Sequence, residues 1–342
     1  MSAEAASGGG DTRALEPNPT NAIDEGAGEP QAAHETVSDT FSYLSMRAME
    51  WLGMHLPRRI GLPAAQWYFR LLYERGSKQR GVVAGNLSRV LGYPPDSPLV
   101  QAATKECFVL YGRYWYETFA MRTMPPEEVD RRFSIEGLEH ADRALEKGRG
   151  VVLTLPHMGN WDAAGHWLCL KGYRMTAVAE ELKPRSVFEL FLRHRRALGM
   201  GIVPLSTSAR AGTKLMQLLA ENQIITLVAD RDLTGRGVLV DMFGSPRRLP
   251  AGPAYLALAT DTPLCVCAVF STPTGWHTKI GAPVEIERTG VMREDVTALT
   301  KVIAAGFERY IASAPVDWHM FQPAWDEGDV ASPNGTGGSP SL

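Results

Sequence analysis

From Gly150 onward, short apolar runs alternate with amphipathic stretches, and this alternation constrains the fold more than any other feature of the chain. Val151-Val152-Leu153-Thr154-Leu155 has the composition of a buried strand, and a helix is expected from Trp161 to Leu170. The alternation continues with strands over 175–179, 201–205 and 224–229 and helices over 185–198 and 209–220. Strand and helix repeated in this way imply parallel strands joined by helical crossovers. Strands over 238–243, 264–270 and 277–286 are expected to extend the sheet, and a last helix covers 293–313. The expected class is α/β: a central, largely parallel mixed sheet flanked by helices, with an amphipathic helical region before it.

That region spans 39–91. Phe41, Leu44, Met49, Trp51, Leu52, Leu56, Trp67, Tyr68, Phe69, Leu71 and Leu72 recur at helical spacing, interleaved with Arg47, Arg58, Arg59, Arg70, Arg75, Lys78, Arg80 and Arg89. Two or three basic amphipathic helices follow from the pattern. Helices rich in Trp, Tyr and Arg can lie in a lipid interface; a helical cap packed on the domain is the alternative. A helix pair is expected over 99–121, closed by Pro125-Pro126, and a short strand and helix over 133–147.

The chain has 342 residues and a net charge of −3, unevenly distributed. Residues 1–40 carry eight acids against one base, Arg13, and three more acids follow Trp325. The rest holds 34 bases against 27 acids, so the body is about +7 and suits anionic partners such as a lipid surface or a phosphorylated cofactor. Residues 1–37 and 328–342 have almost no large apolar side chains, so both are expected to be disordered. No stretch reaches the ~18–20 apolar residues of a bilayer-spanning helix, and the chain does not open on the basic and apolar pattern of a secretory signal. Cys107, Cys169, Cys265 and Cys267 have no metal-ligand or redox spacing and read as buried thiols. No metal is expected.

His157 stands just past the first strand of the alternation, at the sheet edge where open α/β folds place reactive groups. Gly159 permits a sharp turn, and Asp162 falls in the first turn of the following helix. Within one helix, five residues would set the two side chains about 140° apart. With His157 in the turn, the expectation is that they meet through space. A carboxylate on one imidazole nitrogen fixes the tautomer and leaves the other to take a proton from a hydroxyl. Asp230, in Ala-Asp-Arg-Asp-Leu, ends another strand and is a third candidate at the same edge. Arg236, Arg247 and Arg248 precede a helix start and suit phosphate, as does Arg195 in the basic run 193–196. Glu180, with Glu181, ends a further strand and is a weaker candidate for the acceptor site; Asn160 and Arg231, inside the two motifs, complete the candidate substrate contacts. Ser206, Thr207 and Ser208 lack the elbow of a covalent serine mechanism.

His157-Met-Gly-Asn-Trp-Asp162, Ala229-Asp230-Arg231-Asp232-Leu233, Met242-Phe243-Gly244 and Pro250-Ala251-Gly252-Pro253, with Asn86-Leu87-Ser88-Arg89-Val90 ahead of them, together resemble the bacterial lipid acyltransferases of lipid A synthesis. The resemblance is closer to their actinobacterial branch, the phosphatidylinositol mannoside acyltransferases, and covers roughly residues 40–325. It implies an acyltransferase domain over 38–327, divided into a membrane-associating helical part (38–130) and an α/β catalytic core (131–327). It further implies transfer of a fatty acyl group, palmitoyl-like, from acyl-CoA as co-substrate, without other cofactor, to a mannose hydroxyl of phosphatidylinositol mannoside. The protein would act peripherally on the cytoplasmic face of the cell membrane, with His157 as base supported by Asp162, Asp230 at the family's second acidic position, and Arg195 and Arg236 along the acyl-CoA path. Another glycolipid or lysophospholipid acceptor, or a non-catalytic lipid-binding protein, are the competing readings. Nucleic acid is not an expected partner, since the bases form no recognised module.

Overall fold

A computed structural model describes residues 37–181, 183–205 and 209–325. Apart from Val37, the acidic leader read over 1–37 lies outside them, and so does the tail read over 328–342. Three helices come first: α1 (Val37–His55), α2 (Arg58–Glu74) and α3 (Lys78–Leu91). Pro57 separates the first two, and Gly92, left-handed at φ 73°, ends the third. α4 (Pro98–Ala120) starts on Pro98 behind Ser97, whose hydroxyl accepts the Val100 N–H at 3.3 Å. One 23-residue helix therefore runs where a pair was expected. Within it Gly112 admits α2, because a Cβ there would stand 2.7 Å from the Ala65 carbonyl oxygen.

The α/β part follows as α5 (Pro126–Arg132), β1 (Phe133–Glu136), α6 (Leu138–Glu146), β2 (Val151–Leu155), α7 (Trp161–Leu170), β3 (Met175–Glu180), α8 (Arg185–Ala197), β4 (Gly201–Leu205), α9 (Ala209–Ala220) and β5 (Ile224–Val228). It continues with β6 (Val238–Met242), β7 (Ser245–Leu249), α10 (Gly252–Thr260), β8 (Leu264–Ser271), β9 (Trp276–Pro283) and α11 (Met292–Ser313). Seven strands form one sheet in the order β1-β9-β8-β2-β5-β3-β4, parallel throughout except between β8 and β9. β2 is buried along its whole length. Its side chains alternate between two cores, Val152 packing with Ile303 and Phe307 of α11, and Val151, Leu153 and Leu155 with Ala163 and Trp167 of α7. Each such side chain contributes roughly 1.5–3 kcal/mol by leaving water, so the strand that ends on the His157 turn is firmly held.

The strand expected over 238–243 does not extend this sheet. β6 pairs with β7 in a separate antiparallel hairpin, because Phe243 (φ 53°) and Gly244 (φ 68°) form a two-residue turn that returns the chain on itself. No described helix is long and apolar enough to cross a membrane.

Candidate active site

β2 and β5 are parallel neighbours with Leu155 opposite Val228. His157 and Asp230 each lie two residues beyond those partners, so the register alone brings them side by side at the C-terminal edge of the sheet. The imidazole Nδ1 is 2.5 Å from Asp230 Oδ1, and the His157 backbone N–H donates to Oδ2 at 3.0 Å. Oδ2 also accepts the indole N–H of Trp318 at 2.7 Å. Asp230 is fully buried, and burial alone would raise its pKa. The His157 ring, the Trp318 indole and the His157 amide outweigh that penalty and hold it at about 2. An ionised Asp230 accepts the Nδ1 proton and leaves Nε2 as the basic nitrogen. Nε2 makes no hydrogen bond to a described residue, and the side chain is 26% exposed.

Gly159 shapes the turn, with φ 55° and a position at which a Cβ would lie 2.4 Å from the Val269 carbonyl oxygen. Asn160 then caps α7, its Oδ1 accepting the Ala163 N–H at 3.0 Å while its amide approaches Thr118 Oγ1 at 3.5 Å. It is 2% exposed, so the substrate contact expected of it gives way to a helix cap.

The expected meeting of His157 and Asp162 is also corrected. α7 carries Asp162 inward, where Arg195 Nε approaches Oδ1 at 2.6 Å and Arg195 Nη2 and the Tyr114 hydroxyl approach Oδ2, each at 3.3 Å. Burial would lower the Arg195 pKa, but the Asp162 charge beside it moves it above its ordinary value. Burial, reinforced by the Asp162 charge, keeps Tyr114 a neutral phenol. Asp162 thus closes a buried ion pair that joins α4, α7 and α8.

The same edge holds the remaining candidates in different states. Glu180, at the end of β3, and Arg231, just past β5, form an ion pair with each other. Arg236 is exposed on the loop before β6, and Arg248 donates to the Gly237 carbonyl at 3.1 Å. Ser206, Thr207 and Ser208 lie outside the described residues.

The chain matches the bacterial lipid A biosynthesis acyltransferase family over residues 36–327. It belongs to that family. Among curated proteins it is 41% identical over 246 residues to the phosphatidylinositol mannoside acyltransferase of Mycobacterium tuberculosis (strain CDC 1551 / Oshkosh), covering 70% of this chain and 75% of that protein. The protein of the same name from Mycolicibacterium smegmatis (strain ATCC 700084 / mc(2)155) is 39% identical over 244 residues, covering 70% and 77%.

Two parts of this candidate site are not legible in the sequence. Trp318 bonds the buried carboxylate from 88 residues away, and no local signal marks it. In the sequence Arg247 stands beside Arg248 and suits phosphate. It is instead 2% exposed, with Nη2 donating to the Asp230 carbonyl and its guanidinium 4.9 Å from the Trp325 ring centre. The alternating burial of β7 would have separated the two arginines had that strand been recognised.

Proposed function

We propose that this protein transfers a fatty acyl group, palmitoyl-like, from acyl-CoA to a mannose hydroxyl of phosphatidylinositol mannoside, with His157 as general base and Asp230 as its partner. One observation carries the reaction type: a partly exposed imidazole whose Nδ1 is fixed on a buried carboxylate while Nε2 stays unengaged by described residues. The hydroxyl oxygen attacks the thioester carbonyl carbon as its proton passes to Nε2. The tetrahedral intermediate then collapses, the C–S bond breaks, and the departing thiolate takes the proton back from His157, giving the ester and free CoA. The names of the relatives supply the acceptor, and the exposed Arg236 is a candidate for the CoA phosphates.

A place on the cytoplasmic face of the membrane is part of this reading. α1 exposes Leu44, Ala48, Trp51 and Leu52, and α2 repeats the stripe sixteen residues later with Ile60, Ala64, Trp67 and Tyr68. Trp51 is 57% and Trp67 64% exposed, while Phe69 and Tyr73 of α2 are buried. Over residues 43–80 seven bases face two acids, of which Glu50 is buried. Exposed tryptophans among bases suit an anionic lipid surface. A second copy, by contrast, would set like charges against each other across a two-fold interface.

The test incubates purified protein with labelled palmitoyl-CoA and a panel of mannosylated inositol lipids, lysophospholipids and other glycolipids. Transfer to the mannosylated lipid, lost in a folded His157→Ala variant, supports the reading. Retained turnover in that variant overturns the assignment of the base, and preference for another acceptor overturns the substrate.

A further inference from the structure

We infer that residues 315–325 form a strap that positions the His157–Asp230 pair, with Trp318 as its working residue and Asn86 as its anchor. The inference rests on the general-base reading above. The strap meets the catalytic turn through backbone bonds on both sides of Met158. The Asp317 carbonyl accepts the Gly159 N–H at 3.0 Å, the His319 N–H donates to the His157 carbonyl at 2.8 Å, and Met158 and Trp318 form an isolated antiparallel bridge. Between these contacts the Trp318 indole, 1% exposed, reaches Asp230 Oδ2. One short segment therefore bonds both residues of the pair, the histidine through its main chain and the aspartate through its carboxylate.

The indole bond has a particular geometric effect. A carboxylate turns about its Cβ–Cγ bond unless both oxygens are engaged. Oδ2 takes two N–H donors, from Trp318 and the His157 main chain, and this holds Oδ1 at Nδ1. Without the indole, Oδ2 keeps only the His157 main-chain N–H, so both oxygens stay engaged but with one bond fewer, and the carboxylate's orientation loosens. Reacting groups displaced by about 1 Å can lose about 100-fold in rate.

The far end is fixed from the other side of the fold. Asn86 of α3, 4% exposed, donates to the Met320 and Gln322 carbonyls at 3.0 and 2.9 Å and accepts the Ala324 N–H at 3.1 Å. Phe321 stacks on Tyr111 of α4 at 4.1 Å between ring centres, and Trp325 lies edge-on to Trp318 at 6.0 Å. An asparagine with both ends of its amide engaged by one extended segment serves to hold that segment in register. A helix whose sequence has no catalytic residue thus fixes the place of one.

The test separates kcat from KM in the acyl-transfer assay and follows the Nδ1 proton of His157 by NMR. Trp318→Phe, which removes the N–H and keeps an aromatic ring, is expected to lower kcat about tenfold or more with KM within about twofold, since a loosened base loses rate while substrate contacts are left in place. The Nδ1 proton resonance is expected to move upfield as the bond to Asp230 loosens. Asn86→Ala is expected to lower kcat by about threefold, also without a KM change. If Trp318→Phe does not fold, 3-benzothienylalanine at position 318 deletes the same N–H from an isosteric ring and is read against the same threshold. A folded variant lacking the indole N–H, with kcat within twofold of the parent and an unmoved proton resonance, overturns the strap. Turnover retained in His157→Ala would instead overturn the base, whatever Trp318 does.

Discussion

Replacing Asp230 with Asn separates the two candidate carboxylates, because the structure dictates which way the new amide must face. Oδ2 of Asp230 accepts two N–H groups, from the His157 main chain and the Trp318 indole. An asparagine can meet both only with its carbonyl oxygen in that place, which turns its NH2 group toward His157 Nδ1. That nitrogen must then accept, so the single proton of the neutral ring moves to Nε2, and the nitrogen meant to take the hydroxyl proton already carries one. Loss of a tautomer-fixing carboxylate of this kind costs about 10⁴-fold in kcat, or about 5 kcal/mol of barrier. The stability cost is smaller. A buried carboxylate held at about 2 against a usual value of 3.8 contributes about 2 kcal/mol at neutral pH, and the neutral amide gives that up.

The assay is initial-rate acyl transfer for Asp230→Asn and Asp162→Asn in parallel, with melting curves and ¹⁵N NMR of the His157 ring. Asp230→Asn is expected to fold, to lose about four orders of magnitude in kcat and to show His157 protonated on Nε2. Asp162→Asn is expected to act first on the melting curve, through the stranded Arg195. A folded Asp230→Asn variant within tenfold of the parent, beside a folded but inactive Asp162→Asn variant, would refute the assignment and return the role to Asp162.

Acid should unfold the parent more steeply than Asp230→Asn. The folded pKa of Asp230 lies below its unfolded value, so its stabilisation is present above about pH 4 and lost as pH falls toward 2; about half is gone by pH 3, a difference of about 1 kcal/mol readable from urea midpoints at pH 6 and pH 3. Asp162→Ala leaves the Arg195 guanidinium charged and largely buried and is expected to cost about 3–5 kcal/mol in chemical denaturation, whereas the double change Asp162→Leu with Arg195→Met should cost less. Gly159→Ala forces a side chain into φ 55° and against the Val269 carbonyl, so it should destabilise by about 1–3 kcal/mol, with a fall in kcat as the turn bearing His157 shifts. Vesicle sedimentation checks the lipid face: Trp51→Ser with Trp67→Ser should weaken binding to anionic vesicles at least tenfold, and a parent protein that does not sediment would remove the membrane part of the proposal.

The β-α alternation was legible because strand and helix periods differ and the glycines between them punctuate the chain, so the largely parallel sheet followed from local pattern alone. The hairpin of β6 and β7 was not, because its turn is Phe-Gly, and the Asn-Gly or Asp-Gly that advertises such a turn is missing. Within the site, the sequence exposed the right residue types and misjudged one pairing for a physical reason. Separation along the chain favoured Asp162 as the partner of His157, but spacing fixes only how far apart two residues are along the backbone. Register between strands decides what meets across a sheet, and Leu155 opposite Val228 puts Asp230 beside His157 from 73 residues away. Asp162 is then claimed by Arg195, whose charge no local pattern could have assigned to it. The run Asp230-Arg231-Asp232 shows the same principle within three residues. Asp230 turns to the neighbouring strand's histidine, Arg231 to Glu180 at the end of β3, and Asp232 accepts the N–H groups of Thr234 and Gly237 in its own loop. Past the end of a strand successive side chains leave in different directions, so adjacent charges serve unlike purposes, and a motif read as one block divides according to the partner each direction offers.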